Sequence, residues 1–159
     1  MTKINRIIVL VSIVSFGLLL AVSQSEAVTT KKLFLGPDDF KVDSPTFQYI
    51  DGGGTLESLS GQITFHARLN LPKGAVMKSV IFYGNDTFGG KVCIQVNIVT
   101  ASTLSTSDFP VYCTFSTGNQ AVSFNVEPNK ISTGNVVVIS LTLINPAPFY
   151  GLQLTYTTP

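Results

Sequence analysis

The chain has 159 residues, 45% of them hydrophobic, with 10 Lys+Arg against 9 Asp+Glu, two cysteines and no tryptophan. A balance this close to neutral, with no basic stripe, excludes a phosphate-tracking nucleic-acid groove and a polybasic membrane patch. No second domain fits a chain of this length once its first segment is set aside.

Residues 1–27 read as a secretory signal peptide. Lys3 and Arg6 make a positive start, residues 7–22 form an almost unbroken apolar run, and Ser25-Glu26-Ala27 fits a small-x-small cleavage site. The run approaches the ~18 residues that can span a bilayer, so an uncleaved anchor is the alternative. The small residues behind the run favour cleavage between Ala27 and Val28, and with it a secreted, periplasmic or cell-surface location; the membrane is met only through this segment. Removing Lys3, Arg6 and Glu26 leaves eight basic and eight acidic residues. The remaining residues, 28–159, make one domain of about 130 residues, enough to bury a core of its own.

Within that domain, residues 28–32 are a polar lead-in, and Leu33-Phe34-Leu35 followed by Gly36-Pro37-Asp38-Asp39 reads as a brief edge strand closed by a turn. Residues 40–50 read as an ordered loop with a strand at its end. Asp51-Gly52-Gly53-Gly54 is a wide turn; no Lys-Ser/Thr and no helical pattern follows it, so it is not a phosphate loop. Residues 55–60 are a weak strand or turn. The stretch 62–86 is the clearest in the chain. Ile63, Phe65, Ala67, Leu69 and Leu71 alternate with Gln62, Thr64, His66, Arg68 and Asn70, the period of a half-buried antiparallel strand. Pro72 ends it, and Lys73-Gly74 supplies a turn. Residues 79–83 are apolar on both faces, as in the middle of a sheet.

Val92, Ile94, Val96 and Ile98 then alternate with Lys91, Cys93, Gln95 and Asn97. A Ser/Thr-rich loop over 101–108 precedes a strand over 109–115. Val122, Phe124 and Val126 mark another, residues 136–144 read as a covered central strand, and Leu152, Leu154 and Tyr156 alternate to the end. About eight strands at roughly ten-residue spacing, with no helical period after the leader, predict an all-β, two-sheet antiparallel β-sandwich of jelly-roll type.

The mature chain resembles a group of uncharacterised secreted bacterial β-sandwich proteins. The likeness rests on Leu71-Pro72-Lys73-Gly74-Ala75, on the strand from Val80 that ends in Asn85-Asp86, and on Phe149-Tyr150-Gly151 with Tyr156. Gly84 and Asn85 stand where such proteins carry another aromatic. The resemblance implies the fold and export, and no activity.

No catalytic set is visible. His66, the only histidine, lies on the polar side of its strand, and no Gly-x-Ser-x-Gly elbow accompanies it. The carboxylates sit mostly at turns. Asp38 and Asp39 are the residues a structural Ca²⁺ would use, but no EF-hand-like loop supports one, and no cofactor is expected. Tyr83 and Tyr112 lie off the inward phase of their strands and Tyr49 sits beside a glycine turn, which makes these three the ligand-binding candidates. Asn85-Asp86-Thr87 is a glycosylation sequon where the source is eukaryotic.

These features predict a secreted, non-catalytic module with a structural or interaction role outside the cell, its partner a glycan or a surface protein. A carbohydrate-binding module is the alternative. A trimeric jelly roll of the tumour-necrosis-factor-like type is a third reading, resting on Phe149-Tyr150-Gly151. Cys93 and Cys113 are expected to form a disulfide, because the compartment is oxidising and only one pairing exists. A hairpin centred on Thr103 would set them opposite each other. Cys93 shares a face with Lys91 and Gln95 whereas Cys113 shares one with Val111 and Phe115, so a bulge or a change of partner is expected between them.

Overall fold

The computed structural model describes residues 27–42, 48–59, 61–86, 89–100, 103, 105–126, 131–132 and 135–159. Almost all of the predicted leader, and the turn at residues 127–130, lie outside the described residues. Regular structure consists of β1 (Thr29–Leu35), β2 (Lys41–Val42), β3 (Tyr49–Gly52), β4 (Thr55–Ser58), β5 (Gln62–Leu69), β6 (Val76–Asp86), β7 (Lys91–Thr100), β8 (Ser105–Asp108), β9 (Tyr112–Cys113), β10 (Gly118–Asn125), β11 (Asn135–Ile144) and β12 (Phe149–Thr158), with one 3-10 turn at Pro37–Asp39. No α-helix occurs among the described residues, and none of their helices is long and apolar enough to cross a membrane.

The strands form two six-stranded antiparallel sheets packed as a sandwich. Sheet A runs β10-β6-β12-β4-β3, with β1 also paired to β12; sheet B runs β2-β5-β11-β7-β8, with β9 also paired to β7. The predicted eight strands become twelve by four short additions: β2 has two residues, and β3, β4 and β8 have four, while the strand predicted over 109–115 shrinks to the two residues of β9. Segments this short carry no readable period. One of them, β8, lies inside the stretch predicted as a Ser/Thr-rich loop, where its backbone pairs with β7. The predicted lead-in at 28–32 likewise belongs mostly to β1, which pairs with β12 from Thr29 to Leu35.

The alternation read from the sequence is the phase of the core. In sheet B, Phe65, Leu141 and Ile94 lie in one row across β5, β11 and β7, and Ala67, Ile139 and Val96 lie in the next. All six are buried, and Phe65, Leu141 and Ile94 are fully so. Facing them from sheet A are Val80 and Phe82 of β6 and Leu152 and Leu154 of β12, within one apolar cluster. Sheet separation is set locally by Gly84: a Cβ there would come within 2.7 Å of a Val92 methyl. His66 and Arg68 are more exposed than Phe65 and Leu69, as the alternation predicts. The predicted central strand over 136–144 is central, between β5 and β7, but its outer side chains Val138, Ser140 and Thr142 are only half-buried.

Most chain-neighbouring strands lie in opposite sheets, so the connections cross the sandwich. The crossing after β5 meets the crossing before β11, where Gly74 N donates to Ile131 O and Ile131 N to Ala75 O, both at 2.8 Å. At the other end, the β6–β7 connection passes the β11–β12 connection at Gly90. Only the β3–β4 and β7–β8 hairpins pair neighbours in the chain. The β3–β4 turn needs only Gly53 and Gly54, with φ of 64° and 78°, a conformation that suits glycine pairs.

Cys93 and Cys113 form the predicted disulfide, directly opposed with Cα atoms 4.0 Å apart. The pairing of β7 with β8 would set Tyr112 opposite Cys93. A one-residue slip between Asp108 and Tyr112 brings Cys113 there instead. The expected face conflict is resolved by the exposure of Val111 and Phe115, 57% and 83%. They point outward, as both cysteines do.

Thiol titration of the unfolded, unreduced protein should find no free thiol. Replacing both cysteines by serine should lower stability by about 3 kcal/mol, the entropy of a loop of 20 residues in the unfolded chain; an unchanged denaturation midpoint would contradict this. At Gly90 a Cβ would strike the Pro146 carbonyl and lie 2.7 Å from Ile144 O, both backbone atoms. Gly90→Ala should therefore cost about 3 kcal/mol in the same assay, and a wild-type midpoint would rule out the close passage.

Candidate functional site

The two outer faces of the sandwich carry different chemistry. On sheet A, Phe34 of β1 is 60% exposed and Tyr83 of β6 is 36% exposed. Both line a depression of about 610 Å³ with Tyr150, Asn119, Gln120 and Ala121. The floor is built by register. Gly151 on β12 lies opposite Tyr83, which lies opposite Ala121 on β10. Gly151 has φ of 142°, and a Cβ on it would sit 2.7 Å from Phe34 Cζ and 2.9 Å from Leu35 O. The Phe34 ring therefore rests against bare backbone, one strand from Tyr83. A shift in the β6–β12 register between Phe149 and Gly151 turns Tyr150 towards the same depression. No ionisable acid or base lines it besides the two tyrosines.

Polar groups border the rings. Asn119 Oδ1 accepts from Asn85 Nδ2 at 2.9 Å and from the Tyr150 hydroxyl at 3.4 Å. Asn85 Oδ1 is buried with no hydrogen-bond partner among the described residues. The sequon asparagine is thus half-buried, and its Nδ2, the atom that would carry a glycan, is a donor in this cluster. Gln120 is turned to the loop before β10, where its Oε1 accepts from Phe115 N at 3.1 Å and its Nε2 donates to Ser116 O.

Of the three tyrosines singled out by the sequence, only Tyr83 is at this site. Tyr112 is half-buried and stacks on Phe124, with ring centres 3.9 Å apart and planes 7° apart. The one-residue slip that aligns the cysteines also turns Tyr112 inward, which the strand phase alone does not anticipate. Tyr49 makes a T-shaped contact with Phe65, ring centres 5.1 Å apart and planes at 86°. Phe34 and Tyr150 are not singled out by the sequence reading. Phe34 sits in a run of three apolar residues that shows no phase; for Tyr150 the signal is the glycine that follows. Phe149, on which the trimeric reading rested, is fully buried against Phe40.

The outer face of sheet B is polar. His66 and Ser140 are directly opposed, with Nδ1 and Oγ 3.1 Å apart, and Asn97 Nδ2 donates to the same hydroxyl at 3.3 Å. Thr64 and Thr142 share a hydrogen bond of 3.2 Å in the next row. Asp39, in the 3-10 turn, accepts from Gly36 N through Oδ2 at 2.8 Å. Among the described residues, no group of three His, Cys, Asp or Glu side chains is arranged to hold a metal ion.

No family model and no curated protein matches this chain. Among solved structures, the chain is similar to the module CsCBM6-3 from Clostridium stercorarium, solved in complex with cellobiose. The TM-score is 0.51 at 15% identity, covering 76% of this chain and 90% of that one. The likeness shows a shared β-sandwich fold. Lower similarities are found to a family 6 carbohydrate-binding module (TM-score 0.48, 16% identity, covering 76% and 90% of the two chains) and to the CBM36-1 domain of a multidomain xylanase from the hindgut metagenome of Trinervitermes trinervoides (0.46, 11%, 78% and 96%).

The different settings of the tyrosines give a stability test. Tyr112→Ala removes a stacked, half-buried ring and should cost about 3 kcal/mol, whereas Tyr83→Ala should stay within about 0.5 kcal/mol of wild type. Equal losses in chemical denaturation would mean that Tyr83 is a packing residue too.

Proposed function

We propose that the protein is a secreted, non-catalytic module that binds a neutral carbohydrate across the outer face of sheet A. The observation that carries this reading is the aromatic strip on one depression of that face, made by exposed Phe34 and Tyr83 with half-buried Tyr150 beside them. A flat ring stacks on the apolar C–H face of a pyranose, and burying that contact is favourable because both partners leave water. The bordering Asn119 and the half-exposed Gln153 supply amide donors and acceptors for ring hydroxyls. The depression has no charged lining residue, which favours an uncharged sugar.

The fold shared with CsCBM6-3, a protein solved with cellobiose, supports the reading at the level of architecture. Fold alone does not carry function, so the weight rests on the rings. The structural or interaction role expected first from the sequence gives way here to its alternative. Export is supported by the leader pattern of residues 1–27 and by the Cys93–Cys113 disulfide, a bond that persists in oxidising compartments. No enzymatic step and no metal enters the proposal.

A glycan array with the purified protein, followed by calorimetry on the hits, tests it. Binding to at least one neutral oligosaccharide is expected. Phe34→Ala and Tyr83→Ala should each weaken it by about tenfold or more, the usual effect of truncating an aromatic anchor, with an unchanged circular dichroism spectrum. Absence of any neutral hit, or affinity unchanged in both variants, would overturn the assignment.

A further inference from the structure

The cleft on the opposite face has a different character. It has a volume of about 620 Å³ and is lined by Asp39, Lys41, Val42, His66, Arg68 and Val138. Register builds it. Lys41 of β2 lies opposite His66 of β5, and Arg68 stands two residues further along the same face of β5, about 7 Å away. Lys41 and Arg68 are exposed, and among the described residues neither has a carboxylate within ion-pair distance. Lys41 Nζ donates to Asp38 O at 3.1 Å, which holds the ammonium at the rim. The one acid on the lining, Asp39, has an oxygen committed to Gly36 N. Two exposed cations thus stand beside a single carboxylate on the lining, an excess of one positive charge, and Lys41 is held in place by its bond to Asp38 O.

From this rim a strip of hydroxyls and amides continues across the sheet. His66, Ser140 and Gln95 lie in one cross-strand row, and Arg68, Val138 and Asn97 lie in the next. Strands are ~4.8 Å apart, so the strip extends well beyond the size of a single small anion. Its members are already bonded to one another: Ser140 contacts His66 and Asn97, and Gln95 Nε2 donates to Phe109 O at 3.1 Å. This preorders the strip at little further entropic cost on binding.

We infer that this cleft is a second, independent saccharide site, one that takes an acidic sugar: a uronate whose carboxylate is held between Lys41 and Arg68 while its hydroxyls lie along the Ser140–Asn97 strip. The guanidinium offers paired donors matched to a carboxylate, and Lys41 adds a point charge. The site lies on the far side of the core from Phe34 and Tyr83. One molecule could then hold a neutral and an acidic chain at once.

The test is an NMR titration of the purified, isotope-labelled protein with sodium galacturonate and sodium glucuronate, with galactose and glucose as neutral controls, and with inorganic sulfate. Shifts at Lys41, His66, Arg68 and Val138 are expected with the uronates and not with the neutral sugars, and they should weaken as salt is raised. Arg68→Ala and Lys41→Ala should each raise the dissociation constant about tenfold, whereas Tyr83→Ala should leave it unchanged. No uronate shifts in this cleft, or shifts indifferent to Arg68→Ala, would overturn the inference. Sulfate binding as tightly as the uronates would overturn it as well, because the cleft would then be a site for free anions.

Discussion

Burial of one alternate set of side chains between the two sheets is the constraint on which the rest of this structure depends. The inward rows, such as Phe65–Leu141–Ile94 in sheet B and the residues Val80, Phe82, Leu152 and Leu154 in sheet A, share one apolar core. A register slip of one residue would turn a whole strand over, so this burial fixes the phase of every long strand. It also decides which side chains are left outside. Tyr83 is available to a ligand because Phe82 and Gly84 face the core, and Gly84 does so without a side chain so that Val92 can approach.

The outward sets then give the two faces their chemistry. Sheet A collects rings over a glycine floor, with Phe34 lying against Gly151 and Tyr150 brought in by a register shift. Sheet B collects hydroxyls, amides and the cations Lys41, Arg68 and Lys91 in cross-strand rows, with the disulfide among them as one further cross-strand pair. Both depressions are of nearly equal volume, about 610 and 620 Å³. Size does not distinguish them; the lining does. An aromatic floor favours the apolar face of a neutral sugar, and a cationic rim favours a carboxylate.

What the sequence made legible follows from the same constraint. Alternation in β5 and β7 is strong because one face is core and the other is wet, so the phase, the exposure of His66 and the sandwich class could all be read. The disulfide was legible because two cysteines allow one pairing. The partners of each strand were not, since β5, β6 and β7 follow one another in the chain but alternate between sheets B, A and B. Only the β3–β4 and β7–β8 hairpins keep local partners. Tyr112 is missorted for a local reason: the slip between β8 and β9 reverses its facing, and the face conflict of the two cysteines signals such a slip without locating it. Phe34 was hidden in a three-residue apolar stretch, where an outward ring on an edge strand looks like any other core residue.

The central claim is that neutral saccharide lies on the rings of sheet A. Its most direct test is the structure of the protein with a bound neutral oligosaccharide, or the map of intermolecular nuclear Overhauser effects in solution. The account predicts sugar C–H groups against the rings of Phe34, Tyr83 and Tyr150, with Asn119 at hydrogen-bonding distance from a ring hydroxyl. A neutral sugar seated on the loops at one end of the sandwich, or on sheet B with those three rings untouched, would contradict it.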